Sequence, residues 1–176
     1  MRSIKLFGLI LASLFLSACL EDLNPDGRDL RSDSDKGPST ALNFNAITTQ
    51  SQSIILEDEL LTHDAVVLYF TMWCPLCDSH MSHMRSHVID QYSNVRFFMV
   101  DYVSGSLSQS RSSQLANGFS DLTLLVDNHQ SLLNSFNATM ASVVVIKDDM
   151  TILLNEDYKN GSRLLEVLAN LNQTSP

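Results

Sequence analysis

Seven residues in a row, Ala65 to Thr71 (AVVLYFT), are apolar, β-branched or aromatic, and two positions later the chain reads Trp73-Cys74-Pro75-Leu76-Cys77. A run of that make-up, without alternation, is the pattern of a strand buried on both faces, in the middle of a sheet that helices cover. The period then changes: over Pro75 to Tyr92, Met81, Met84 and Val88 recur at helical spacing. Asn94–Val100 (NVRFFMV) predicts a second buried strand, and Leu122–Val126, Ser142–Lys147 and Thr151–Asn155 predict three more. The last two are separated by Asp148-Asp149-Met150, a hairpin-length turn. Between them, Ser104–Gly118 predicts a loop with a short helix, and Ser162–Leu171 an amphipathic closing helix with Leu164, Leu165, Leu168 and Leu171 on one side. These elements imply one α/β domain over residues 46–176, with a mixed sheet and helices on both faces.

The start of the chain reads as an address. Arg2 and Lys5 precede an apolar stretch from Leu6 to Leu16, and the segment ends Leu16-Ser17-Ala18-Cys19. That is a signal peptide over residues 1–18, far short of the ~20 apolar residues of a spanning helix. Its last four residues resemble the lipobox of bacterial lipoproteins, which implies cleavage before Cys19 and lipid on that cysteine. Several acyl chains make such an anchor stable. Residue 20 is Leu, unlike the Asp of an inner-membrane retention signal, so the resemblance leans to the periplasmic face of the outer membrane. Residues 19–45, with six acids, three bases and no apolar period, predict a flexible tether.

The net formal charge of −9 argues against a nucleic-acid partner, whose phosphates need Lys and Arg. Three cysteines are too few for a disulfide framework. Cys74 and Cys77, however, stand three apart at a helix start, where unpaired N–H groups and the helix dipole favour a thiolate. Pro75 suits the first helical position, because its missing N–H has no partner to lose there. Cys74, at the helix mouth, is the expected nucleophile, and Cys77, one turn in, the resolving thiol. A structural disulfide is the alternative, but a loop this short gains little stability.

The stretch YFTMWCPLC at 69–77, between a strand and a helix, resembles the thioredoxin superfamily. The periplasmic thiol-disulfide oxidoreductases of the TlpA/ResA type are nearest. A looser match runs from Leu122 to Asp149. The resemblance implies a thioredoxin-like fold, a central mixed β-sheet flanked by helices. It also implies dithiol-disulfide exchange through Cys74 and Cys77, with Trp73 and Pro75 supporting the motif. No cofactor beyond the cysteine pair is implied. Implied partners are cysteine-bearing envelope proteins, a membrane thiol electron donor or acceptor, and the membrane itself through the lipid.

The sequence departs from the family in two places. The family has a cis-proline in the loop facing the cysteines, where this chain has Met140-Ala141, the candidate substrate loop. Without proline a cis bond costs about 2.5–4 kcal/mol, so a trans loop is expected. Six residues before the first cysteine, thioredoxins have a buried Asp that assists deprotonation of the resolving thiol; here it is Leu68. Thr71, three before Cys74, also brushes the peroxiredoxin pattern, but Val67 stands where that family wants proline.

His80, His83 and His87 follow Cys77 within a helical stripe roughly 60° wide. Thiols and imidazoles together suit copper or zinc, so a metal-binding or metallochaperone module using Cys74, Cys77 and His80 is the competing reading. The plainer reading of the row is a solvated helix flank. A redox-silent interaction module that kept the fold is the third reading.

Overall fold

The computed structural model describes residues 37–171. Seven strands form one sheet: β1 (Asn45–Thr48), β2 (Ser53–Ile55), β3 (Ala65–Thr71), β4 (Val95–Asp101), β5 (Leu124–Val126), β6 (Ser142–Lys147) and β7 (Ile152–Asp157). Their order across the sheet is β2-β1-β5-β4-β3-β6-β7. β3 runs parallel to β4 and antiparallel to β6, β4 runs parallel to β5, and both outer pairs are antiparallel. The sheet is therefore mixed, and every residue of the central strand β3 is buried, as its unbroken apolar run requires.

Among the described residues, five helices accompany the sheet: α1 (Leu56–Leu60), α2 (Pro75–His87), α3 (Leu107–Ala116), α4 (Ser131–Ser135) and α5 (Ser162–Asn170). α2 ends five residues before the predicted limit and is followed by a 3₁₀ turn at Ile89–Gln91. On one face of the sheet, Ala65, Val67 and Tyr69 pack with Met81 and Met84 of α2 and with Leu164 and Leu168 of α5. On the other, Val66, Leu68 and Phe70 pack with Leu56 and Leu60 of α1, and with Leu132 of α4 and Phe136. α3 is tied to the β5 side through buried Gln114, which accepts from Thr49 Oγ1 at 2.6 Å and donates to the Phe119 and Leu122 carbonyls.

The folded unit begins before residue 46. Ser39 and Ala41 bond to the backbone of the β6–β7 hairpin, and Ala41 is buried, so the end of the predicted tether is part of the domain. The signal peptide, Cys19 and the tether up to residue 36 lie outside the described residues. Among the described residues, no helix is long and apolar enough to cross a membrane.

Candidate active site

The cysteine pair sits at the carboxyl end of β3, beside the point where the chain leaves strands β3-β4-β5 and β6 joins on the other side, the usual place for a site in such sheets. Trp73 makes the turn with φ +60°, and its N–H bonds to Thr71 Oγ1 at 3.2 Å. Cys74 is the N-cap of α2: its backbone is extended, and its Sγ accepts the Cys77 N–H at 3.1 Å. Pro75 opens the helix, as its fixed φ favours.

Cys74 and Cys77 are both free thiols here, with no disulfide between them. Cys74 is half-buried, whereas Cys77 has no exposed surface. Burial alone pushes the Cys77 thiol up. Hydrogen bonds from Cys74, from the Met72 and Cys74 backbone and from the Thr71 hydroxyl outweigh that, and its net shift is downward. Burial and a hydrogen bond to Cys77 push the Cys74 thiol up. The two therefore titrate as a pair that shares a proton, with the first loss eased and the second hindered. Cys74 is the sulfur a substrate can reach; Cys77 is the better-bonded anion.

Parallel register places Asp101 of β4 beside Thr71. This buried carboxylate accepts the Trp73 Nε1–H at 3.0 Å and the Val103 and Ser104 N–H groups at 3.0 and 3.1 Å, fixing the indole behind the cysteines. Sequence reading missed Asp101; the signal was an acid directly after the apolar run Phe97–Val100. It also missed Tyr69. Alternation along β3 turns Leu68 to the α1 and α4 layer and Tyr69 to α2, where it packs with Met81 and Met84. The Tyr69 hydroxyl meets His80 Nδ1 at 3.1 Å.

The substrate-loop candidates part company. Among the described residues there is no cis peptide bond, and Ala141 takes φ +65°. Ala141 is buried, its N–H bonded to the Phe70 carbonyl at 3.0 Å and its carbonyl to the Tyr158 N–H at 2.8 Å. Met140 is 40% exposed and lies over Cys74, its Sδ 3.6 Å from Cys74 Sγ. Met72 and Leu76, also exposed, flank the same cysteine.

The histidine row is no uniform solvated flank. His80 is buried against Tyr69, His83 Nδ1 meets Tyr158 Oη at 2.7 Å, and only His87 is exposed, stacked on His83. Among the described residues, no group of three or more His, Cys, Asp or Glu side chains could hold a metal ion. Thr71, the residue of the peroxiredoxin pattern, serves Trp73 and Cys77.

Solved structures share this architecture. The pneumococcal exposed lipoprotein thioredoxin Etrx1 of Streptococcus pneumoniae aligns at TM-score 0.63 and 14% identity, covering 73% of this chain and 99% of that one. The fold is thioredoxin-like. DsbF of Mycobacterium tuberculosis, solved in mixed oxidized and reduced forms, aligns at TM-score 0.57 and 19% identity over 77% and 98% of the two chains. Peroxidoxin BcpB from the same organism aligns at 0.61 and 18%, over 80% and 99%. No family model and no curated protein matches the sequence. A thioredoxin-like fold thus carries several thiol chemistries, and the choice among them belongs to the site.

Proposed function

We propose that this protein is a thiol-disulfide oxidoreductase of the bacterial envelope, exchanging the Cys74–Cys77 dithiol and disulfide with cysteines of other envelope proteins. One observation carries the reading: an accessible sulfur caps the helix directly above a buried, multiply hydrogen-bonded one. In the reducing direction, the Cys74 thiolate attacks a substrate disulfide, one substrate sulfur leaves as thiolate, and Cys77 attacks Cys74 Sγ to free the other. The pair ends oxidised by two electrons and the substrate reduced by two, and a membrane thiol donor or acceptor restores the starting state. Met140, Met72 and Leu76 offer adaptable apolar contact beside the nucleophile.

The lipobox-like LSAC sequence supports anchoring through Cys19 at the periplasmic face, with the outer membrane favoured by Leu20. The exchange reading is tested with a disulfide-bonded model peptide. Cys77→Ser is expected to accumulate a dithiothreitol-sensitive adduct through Cys74, and Cys74→Ser to form none. Reaction of neither variant faster than free cysteine would remove the reading.

A further inference from the structure

Met140 and Met72 are exposed, whereas Met81, Met84 and Met99 are buried in the core. A thioether at the surface is open to two-electron oxidants such as peroxide, which convert it to the sulfoxide. The Met140 sulfur also has a partner: Cys74 donates its S–H to Met140 Sδ at 3.6 Å. The contact is held from both sides. The Ala141 N–H bonds to the Phe70 carbonyl and the Ala141 carbonyl accepts the Tyr158 N–H, which pins the backbone next to Met140. Cys74 Sγ in turn accepts the Cys77 N–H at 3.1 Å. Cys77 itself lies one turn into the helix and is fully buried. An oxidisable thioether, an accessible thiol and a resolving thiol therefore meet at one helix mouth.

We propose that Cys74 reduces the sulfoxide of Met140, so that the thioether over the accessible thiol is repaired by the dithiol it covers. The substrate is this chain's own methionine sulfoxide, and the proposal rests on the exchange reading for the return of the pair to the dithiol. Peroxide delivers one oxygen atom to Met140 Sδ and leaves as water. Cys74 Sγ then attacks Sδ and the sulfoxide S–O bond breaks. The oxygen passes to Cys74 with the thiol's proton, as a sulfenic acid, and Met140 is a thioether again. Cys77 attacks Cys74 Sγ, the S–O bond there breaks, and the oxygen leaves with the Cys77 proton as water. The methionine gains two electrons; the cysteine pair loses two and ends as the disulfide. Thiols in solution reduce sulfoxides slowly. A contact already at 3.6 Å, close to the ~3–3.5 Å of a near-attack pair, replaces that bimolecular encounter. Unrepaired, Met140 would present a polar sulfoxide beside Cys74 in place of its apolar side chain.

The test uses the full chain with Cys19→Ser, so that Cys74 and Cys77 are the only thiols. The disulfide form is treated with hydrogen peroxide, the peroxide is removed with catalase, and dithiothreitol opens the disulfide. Acid-quenched samples are digested, and the oxygen carried by each methionine is read by mass spectrometry. Met150 is the internal reference, because the β6–β7 turn lies at the amino end of β3 and the cysteines at its carboxyl end. Met140 sulfoxide is expected to disappear about a hundredfold faster than Met150 sulfoxide, at a rate independent of protein concentration. It should persist in Cys74→Ser. Cys77→Ser, with Cys74 blocked by glutathione during the peroxide step, should keep the repair, because dithiothreitol can take the second thiol's part. Persistence of Met140 sulfoxide in the parent, its loss at the same rate in Cys74→Ser, or a Met140 that peroxide leaves unoxidised overturns the proposal. Unoxidised protein cycled in thiol buffers tests the exchange reading separately. A pair that cycles beside a lasting Met140 sulfoxide removes the repair alone.

Discussion

Val66, Leu68 and Phe70, on one face of β3, pack into a wholly apolar layer with Leu56, Leu132 and Phe136, whereas the opposite face ends in the Tyr69 and Thr71 hydroxyls, bonded to His80 and Trp73. The strand is buried throughout, yet only the α2 side carries polar atoms, at the end where the helix N-terminus and the thiols lie. Burying a polar group costs free energy unless it is paired. Each of these is paired: Thr71 Oγ1 accepts the Trp73 N–H, and the Tyr69 hydroxyl meets His80 Nδ1. One face therefore supplies cohesion, and the other carries the paired polar groups.

Substitutions should separate these two roles. The largest effect is expected from Cys74→Ser, which should abolish exchange with disulfide peptides while leaving the thermal transition close to that of the reduced parent. On the apolar face, Phe70→Ala should cost about 3–5 kcal/mol in denaturant unfolding through the cavity it opens. The cysteine titrations should stay in place, and a displaced titration would mean that the two faces are coupled. Acid should act on the polar face alone. The His80 ring stays neutral in the folded protein down to about pH 4, whereas its ordinary value is 6.5. Between those values the unfolded chain binds more protons, so stability falls as pH falls from about 6.5 to 4, by up to about 3 kcal/mol. His80→Leu should flatten that slope in melting curves. The smallest effect concerns Gly161, at φ +82°, where an added Cβ would come within 2.6 Å of Tyr158 Oη and 3.0 Å of His83. Gly161→Ala should cost about 1–2 kcal/mol from the left-handed backbone alone, and crowding of Tyr158 adds to it.

Legibility in the sequence followed the same divide. The AVVLYFT run marked β3 to the residue, and Pro75 marked the start of α2, because burial on two faces and a proline at N1 leave plain traces. β1 and β2 were missed: NAIT and SII are short, lie toward a sheet edge and expose part of their residues, which leaves no periodic signal. α1 (LEDEL), with three acids in five residues, reads as loop until Leu56 and Leu60 find the sheet. Within the site, Cys74, Cys77, Trp73 and Pro75 declared themselves by spacing. Tyr69 and Asp101 did not, and His80 was marked only as one of a helical row of histidines, because their contacts arise from strand register and from which face of β3 meets α2. Ala141 was placed in the right loop, but its left-handed backbone and internal hydrogen bonds depend on Phe70 and Tyr158, distant in sequence.

The reduction potential of Cys74–Cys77, measured in glutathione buffers on protein carrying Cys19→Ser, tests the central claim most directly. The account predicts a reversible two-electron couple between about −270 and −120 mV, the span of cysteine-pair oxidoreductases. A pair that cannot be cycled between dithiol and disulfide under any buffer ratio would contradict it.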